Sequence, residues 1–264
     1  MRQAFLRAAV LFFACAAPLA SQAASTTNFS DQWWTPSESG WGASVLQQRD
    51  VLFIDLFVYG SDGRPTWFTV AAFLQPATGN GHVTFLGDLY INAGPWYGST
   101  FNPAVVANRR VGTLTFDADS SDSATMTYSV DGVLVTKSVT RQLWAYEDFT
   151  GSYSGGVIYD LAQCANAASN GHVEELGNVT VSQTTNTVFN MTTQSGTTSC
   201  TWGGTYSQLG HMGSVVGTYS CNNGVTANFT AFELERTVSG FTGRFVANDN
   251  FSCNVSGRLG GLQR

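Results

Sequence analysis

Short runs of apolar and β-branched residues alternate along most of the chain with clusters of Gly, Asn and Asp. No segment shows a convincing helical repeat. Alternate positions share one character in several runs, as in Trp41, Ala43 and Val45. This pattern is typical of antiparallel strands joined by tight turns. The sequence therefore predicts an all-β protein made of two antiparallel, meander- or barrel-like domains.

The first predicted domain spans residues 28–147. Its predicted strands are 41–48, 51–59, 64–73, 82–90, 111–117, 124–130 and 133–144. Asp131-Gly132 is the clearest turn signal, because this dipeptide tolerates the positive φ angles of a type I′ hairpin. The stretch 91–110, with Pro95 and Pro103, is predicted to be a long connection. Whether this domain closes into a barrel stays open.

The second predicted domain spans residues 151–264. A Gly-Ser/Thr-Tyr-Ser motif begins at Gly151, Gly204 and Gly217. Glycine inside a strand marks a bend or a close backbone approach, which a small curved barrel needs once per strand. We therefore expect an antiparallel barrel of roughly eight strands, stapled by disulfides.

The first 23 residues have the pattern of a secretory signal peptide. Arg2 and Arg7 precede an apolar run over 8–19, and small residues at Ser21 and Ala23 suit cleavage after Ala23. The run is too short for a membrane-spanning helix. We expect a mature protein that is periplasmic or extracellular, of bacterial type.

Four cysteines remain after that cleavage, and all lie in the second domain: Cys164, Cys200, Cys221 and Cys253. An even number in an exported chain predicts two disulfides, with three possible connectivities. Sequential pairing, Cys164 with Cys200 and Cys221 with Cys253, is the expectation, because it joins neighbouring strands of a meander. A structural metal site is disfavoured, since no Cys-x-x-Cys spacing occurs.

Charge excludes several partner classes. The formal net charge is -6 and Lys137 is the only lysine, so no basic patch can neutralise nucleic-acid phosphates or anionic lipids.

No apolar stretch after residue 23 suits a membrane-spanning helix. The sequence also has no P-loop, dinucleotide fingerprint, Gly-x-Ser-x-Gly elbow or zinc pattern. We expect no cofactor, no metal, no nucleic acid and no membrane span.

Residues 33–42 read Trp-Trp-Thr-Pro-Ser-Glu-Ser-Gly-Trp-Gly. Gln-Gln at 47–48, Phe-Val-Tyr at 57–59 and Asp-Gly-Arg-Pro-Thr-Trp at 62–67 follow. Together they resemble a repeated β module of exported bacterial proteins without an assigned activity, so the resemblance implies no catalytic residues. One departure is Arg49, where the module is expected to have a turn glycine.

The tryptophans have two interpretations. Exposed indoles could form a stacking platform for sugar rings or another polymer. Alternatively, Trp33, Trp34 and Trp41 could plug one end of the domain. Trp67 and Trp96 could belong to either set.

Two carboxylates could carry chemistry in the first domain. Asp55 stands in an aromatic stripe of its strand, so it could be an acid or base with a raised pKa. Alternatively, it could be a hydrogen-bonded hub with Arg64, Arg49 or a tryptophan N–H as donor, or its face of the strand could meet solvent. Glu38 could pair with Asp55 across a sugar, as glycoside hydrolases require. Backbone capping in its Ser-Glu-Ser-Gly turn is the structural alternative for Glu38.

The segment 160–175 is the most site-like part of the second domain. It is longer than a hairpin turn needs and concentrates acidic residues around His172 and Glu174. These two could act as a base or ligate a metal, or the segment could be a solvated loop.

The leading hypothesis is an exported, non-catalytic binding protein that meets an extracellular polymer, such as carbohydrate, or a protein. Its predicted ligand-binding residues are Trp33, Trp34, Glu38, Asp55, Arg64, Trp67 and Trp96. One alternative is a secreted hydrolase that uses Glu38 with Asp55, or the His172 and Glu174 segment. Another is a protein inhibitor or a cell-surface structural protein. Oligomeric state is not indicated by the sequence.

Overall fold

The computed structural model describes residues 27–264. The predicted signal peptide and its cleavage site lie outside these residues. The described chain forms two closed antiparallel barrels of eight strands each. The predicted fold class is therefore confirmed, and the first domain closes as well as the second.

The first barrel contains strands β1 to β8. In chain order they are β1 (Asp31–Trp34), β2 (Gly42–Gln48), β3 (Val51–Tyr59), β4 (Pro65–Leu74), β5 (Val83–Ala93), β6 (Ala107–Ala118), β7 (Ser123–Val130) and β8 (Val133–Arg141). A short 3-10 turn (Pro103–Val105) lies in the β5–β6 connection. Two details differ from the prediction. β1 was not expected. The connection is 94–106 rather than 91–110, because the pairing of β5 with β6 continues to Ala93 and Ala107.

The second barrel contains strands β9 to β16. They are β9 (Gly151–Ala162), β10 (Gly171–Thr185), β11 (Val188–Ser195), β12 (Thr198–Leu209), β13 (Met212–Cys221), β14 (Thr226–Thr237), β15 (Gly240–Asp249) and β16 (Asn254–Gln263). A second 3-10 turn (Ala167–Ser169) lies between β9 and β10.

Each barrel is a simple meander in which every strand pairs with the next and the last pairs with the first. The closing pairs of the first barrel are Trp33 with Arg141 and Trp34 with Thr140. In the second barrel β16 pairs with β9 over nearly its whole length. No described helix is long and apolar enough to cross a membrane.

Turn chemistry fits the sequence at two hairpins. Asp131 and Gly132 have φ angles of 47° and 89°, as the predicted two-residue turn requires. Arg49 has a φ of 53° in the β2–β3 turn. A left-handed conformation favours glycine, which explains why a glycine is expected at this position of the module.

Aromatic side chains fill both interiors. In the first barrel the ring of Trp33 meets Phe116 edge-to-face at 5.0 Å, and Phe29 packs on Phe85 at 5.9 Å. In the second barrel Trp202 packs edge-to-face on Phe229 and Phe245. Small eight-stranded barrels are just wide enough for such filling. The interiors of both barrels are therefore packed cores.

The repeated glycines allow the second barrel to curve. Gly204 and Gly217 face each other on β12 and β13, and a Cβ on Gly217 would lie 2.0 Å from the carbonyl oxygen of Gly203. Only glycine permits this close approach of two backbones. The glycine motif therefore has the structural role that the sequence predicted.

The predicted disulfide pairing is wrong. The structure pairs Cys164 with Cys253 and Cys200 with Cys221. Cys200 and Cys221 are opposite each other on β12 and β13. Cys164 follows β9 and Cys253 precedes β16, and these strands become neighbours only when the barrel closes. Sequential pairing overlooked this closure.

We expect the closure-spanning disulfide to stabilise more than the hairpin disulfide. Cys164–Cys253 joins residues 89 apart and Cys200–Cys221 joins residues 21 apart. Loop entropy then gives about 4.6 and about 3.4 kcal/mol respectively. The double alanine variant of the first pair should thus lose about 1 kcal/mol more free energy of unfolding than that of the second. The free energy of unfolding of both variants is measured in urea. Hydrogen exchange of peptides from the second barrel reports the unfolding of that barrel. Equal losses would contradict the entropic account.

Candidate functional site

The free end of the first barrel carries four of the predicted binding residues, Glu38, Arg64, Trp67 and Trp96. Neighbouring strands of a meander run in opposite directions, so alternate loops lie at one end. One end therefore carries the loops 35–41, 60–64, 94–106 and 131–132. The other end carries the chain that leads from β8 to the second barrel. The first set of loops points away from that junction, and we call it the free end.

Five exposed aromatic side chains lie in or beside these loops. Trp67 is 52% exposed, Trp96 67% and Tyr97 96%. Large exposed apolar side chains that cluster on a surface mark interaction sites. The aromatic rim consists of Tyr59, Trp67, Trp96, Tyr97 and Phe101. Val133 and Leu134 of the neighbouring hairpin are exposed beside it.

Internal contacts shape the loop 94–106. The rings of Trp96 and Tyr97 lie 5.6 Å apart. The indole of Trp96 covers Gly98, where any side chain would collide with the ring. The backbone N–H and hydroxyl of Ser99 both donate to the carbonyl oxygen of Trp96. The Asn102 side chain accepts from the N–H of Ala104 and caps the 3-10 turn. A loop held in this way loses little entropy on binding.

Trp33 is not a binding residue, which corrects one prediction. Its side chain is completely buried and its indole N–H donates to the Phe29 carbonyl oxygen at 2.9 Å. The guanidinium of Arg141 lies 4.9 Å from the centre of its ring. The side chain points inward because strand positions alternate and Trp33 is opposite Ala43, another core residue. The plug interpretation therefore holds for Trp33.

The tryptophan motif and the Phe-Val-Tyr motif contact each other. The ring of Phe57 lies over Gly42, so that a Cβ there would be 2.8 Å from the ring. The Tyr59 ring lies in the same way beside Gly40. The spacing of these two motifs thus places two aromatic rings of β3 over a glycine of the loop 35–41 and over the first glycine of β2. The motif glycines are structural, and they position Tyr59 at the rim.

Glu38 is held in an ion pair with the only lysine. Its Oε2 accepts from Lys137 Nζ at 2.7 Å and from the indole N–H of Trp41 at 2.9 Å. The hydrogen bond from Lys137 is the main cause that lowers the pKa of this carboxyl, and the hydrogen bond from Trp41 lowers it further. Trp41 is half-buried against the core, and Lys137 lies 5.6 Å from the centre of its ring. Trp34, opposite Thr140, is also half-buried.

The other charges near the free end are paired. Arg64 lies 3.6 Å from Asp62 within its own turn, and its side chain is exposed. Arg109 donates twice to Asp131, at 2.6 and 2.9 Å. Arg110 lies 2.7 Å from Asp88. The rim is consequently an aromatic surface bordered by neutralised ion pairs.

Asp55 lies on the outer wall of the barrel, lower on β3. It is opposite Ser44 and Thr69 and has exposed Phe53 and Phe57 on either side in its strand. Desolvation raises the pKa of its carboxyl. It has no hydrogen-bond partner among the described residues, so none of the three possible donors, Arg64, Arg49 or a tryptophan N–H, binds it. Glu38 is engaged elsewhere, and the structure does not bring the predicted carboxylate pair together.

Half of the segment 160–175 belongs to strands, and residues 163–170 form a connection that is longer than a hairpin turn, as predicted. β9 extends to Ala162 and β10 begins at Gly171. His172 Nδ1 lies 2.8 Å from Asp160 and Nε2 lies 3.5 Å from Glu174. The hydrogen bond to Asp160 is the main cause that raises the pKa of His172, and Glu174 adds a smaller effect in the same direction. All three side chains are exposed on the second barrel.

Two observations weigh on the catalytic and metal hypotheses. Within residues 27–264, no three His, Cys, Asp or Glu side chains are arranged to hold a metal ion. A groove of 410 Å³ on the outer wall of the second barrel is lined by Gly155, Gly156, Gly260 and Gly261 with apolar neighbours. None of the predicted catalytic residues lines it.

Sequence reasoning missed Tyr59, Tyr97 and Phe101 as rim residues. The available signal was the stretch 91–110, which was interpreted only as a connection. Three aromatics within six residues, 96–101, are unusual for a solvated loop.

Comparisons with protein-family models, with curated proteins and with solved structures gave no match. The resemblance to the exported bacterial module therefore stays a prediction.

We expect substitution of Trp33 to destabilise the protein strongly and substitution of Trp96 to leave its stability nearly unchanged. Replacing Trp33 with Ala removes a fully buried ring and should cost about 3–5 kcal/mol of unfolding free energy. Replacing Trp96 with Ala at the exposed rim should change it by less than about 0.5 kcal/mol. Urea unfolding of both variants provides the measurement. A Trp96 variant as unstable as the Trp33 variant would show that the rim is part of the core.

Proposed function

We propose that this chain is an exported, non-catalytic binding protein whose aromatic rim recognises a neutral extracellular polymer, with carbohydrate as the first candidate. The observation that carries the proposal is the clustering of exposed aromatic rings at the free end of the first barrel. Trp67 and Trp96 keep the role predicted from the sequence, Tyr59, Tyr97 and Phe101 join them, and Trp33 does not take part.

Three physical features support a neutral ligand. Flat aromatic rings stack on apolar faces of sugar rings and lose little rotamer entropy when they do so. The loop that carries Trp96 is shaped in advance by its own hydrogen bonds. The nearby charges of Arg109 and Arg110 are already satisfied by Asp131 and Asp88. A charged ligand would find no unpaired counter-charge in these pairs.

The hydrolase alternative receives less support. A retaining or inverting pair needs two carboxylates facing one bond. Glu38 is bound to Lys137 and Trp41, whereas Asp55 lies on the outer wall between Ser44 and Thr69. An acid–base pair built from His172 and Glu174 is exposed on the other barrel. A protein partner at the same rim is the remaining alternative.

Depletion from solution by insoluble polysaccharides tests the proposal. The purified mature protein is mixed with a panel of polysaccharides and cell-wall material, and both free protein and released soluble sugar are measured. Alanine at Trp67 or Trp96 should weaken binding about tenfold each, as for aromatic anchors of other interfaces. Alanine at Trp144 is the matched control, because this tryptophan is 73% exposed but follows β8 at the opposite end.

The outcomes separate the candidate functions. Depletion that survives both rim substitutions, or that Trp144→Ala weakens equally, would contradict the rim as the site. Release of soluble product would favour the hydrolase. If no polysaccharide depletes the protein, a protein partner becomes the better proposal.

Binding at the rim should also be insensitive to salt. The rim contributes aromatic rings rather than unpaired charges, so salt has few electrostatic contacts with the ligand to screen. The dissociation constant for the depleting polysaccharide should change by less than about twofold between 50 and 500 mM NaCl. A dissociation constant that rises more than tenfold over this range would show that ionic contacts dominate.

A further inference from the structure

A network of charged side chains joins the two barrels. Asp31 of β1 is nearly buried, and its Oδ2 accepts from Arg141 Nη1 at 3.2 Å. The same oxygen accepts from two groups of the second barrel: the backbone N–H of His211 at 3.0 Å and its Nδ1 at 2.8 Å. His211 lies in the turn between β12 and β13. One carboxylate oxygen thus ties the end of the first barrel to the second.

These contacts fix which ring nitrogen of His211 carries the proton. An ionised carboxylate only accepts hydrogen bonds, and Arg141 and the His211 amide already donate to Asp31. Nδ1 must therefore be the protonated nitrogen. In the neutral ring, Nε2 is then left as an acceptor.

Nε2 of His211 accepts no hydrogen bond within the described part of the chain. The atom is buried and has no hydrogen-bond partner among residues 27–264. The nearest charged group is Glu235 of β14, whose Oε1 lies 3.9 Å away. Two acceptors face each other without a proton between them, and a buried polar atom without a partner is costly.

The remaining charges around this site make a metal ion a poor occupant. A cavity of about 80 Å³ beside Glu235 is also lined by Glu233, Arg244 and Arg258. Glu233 lies 3.4 Å from Arg244. Two guanidinium groups on one small cavity repel a divalent cation. Asp122 lies further off, 3.9 Å from Arg141. The cation that this geometry admits is a single proton.

We propose that the junction is a proton-operated latch: one proton taken up between His211 Nε2 and Glu235 Oε1 tightens the docking of the two barrels. The proton turns an acceptor–acceptor contact into a charge-assisted hydrogen bond within the second barrel, and it makes His211 a cationic donor to Asp31. Imidazoles change charge between about pH 5 and 8, so docking is tighter at pH 5.5 than at pH 8.

Asp31 sets the lower limit of the pH range in which the docking of the two barrels is tight. Burial acts to raise the pKa of Asp31, but hydrogen bonds and charge from His211 lower it overall. A carboxyl with a lowered folded-state pKa contributes stability above its unfolded value of about 3.9 and loses it as the pH falls further. The latch therefore weakens again in strong acid.

Hydrogen exchange at the His211 backbone amide tests the latch, because this amide donates across the junction. Exchange rates at pH 8 and 5.5 are divided by the intrinsic rate at each pH. The protection factor of the wild-type chain should rise about tenfold at pH 5.5, which corresponds to the gain of about 1.4 kcal/mol when the neutral Nδ1 donor to Asp31 becomes a cationic one. An unchanged protection factor overturns the proposal.

Three variants separate the latch from a merely structural contact. Glu235→Gln supplies an amide donor to Nε2, so it should be well protected at both pH values. His211→Asn keeps a donor near the Nδ1 position but has no Nε2, so it should lose the pH response. His172→Gln is the control, because His172 also lies between two carboxylates but within one barrel. A wild-type pH response in Glu235→Gln, or its loss in His172→Gln, contradicts the latch.

A measurement on the unmodified protein guards against variants that fail to fold. Imidazole ¹⁵N NMR of His211 should show the proton on Nδ1 at pH 8 and on both nitrogens at pH 5.5. A ring protonated on Nε2 at pH 8, or one that stays neutral at pH 5.5 with no proton on Glu235, overturns the latch.

Discussion

The buried guanidinium of Arg141 is the contact on which both the first barrel and the junction depend. Its side chain is completely buried at the end of β8, opposite Trp33 in the closing strand pair. It donates to the carbonyl oxygens of Ser121, Ser30 and Asn28 and to Asp31. A buried charge is tolerated only when its hydrogen bonds are satisfied in this way. One side chain thus joins β8, the chain before β1, the β6–β7 loop and, through Asp31, the second barrel.

This arrangement explains why the two ends of the first barrel have different roles. The Arg141 end is bound to the second barrel, while the opposite end has the long loop 94–106 and the exposed rings of Trp67 and Trp96. Among the described residues, buried apolar side chains fill the interiors of both barrels. We therefore propose that recognition takes place on the outside of the first barrel, at the aromatic rim.

Local patterns predicted the strands well and the long-range contacts poorly. Val51–Tyr59 was predicted to the residue, because its alternation and flanking turns are local signals. The disulfides were mispaired, because Cys164 and Cys253 become neighbours only through closure of the barrel. Trp33 and Trp34 are adjacent and chemically identical in the sequence. Which of them faces inward depends on the register of β1 against β2 and β8, and β1 was itself not predicted.

The candidate site was only partly foreseen for the same reason. Trp67 and Trp96 are 29 residues apart in the sequence and come to one end through alternation of strand direction, which follows once eight strands are recognised. Asp55 and Glu38 looked like a pair by type alone. Glu38 instead forms an ion pair with Lys137, a residue that lies 99 positions away in the sequence. No spacing rule predicts a contact of that range.

The most direct test of the central claim is an indole ¹⁵N–¹H NMR titration with a soluble oligosaccharide derived from whichever polysaccharide depletes the protein. Each tryptophan contributes one indole signal, so buried and rim rings report separately. The signals of Trp67 and Trp96 should shift, while those of Trp33 and Trp202, both enclosed in the barrel cores, stay in place. Shifts at Trp202 or Trp33 with unmoved rim signals would contradict the claim that recognition is external and located at the rim.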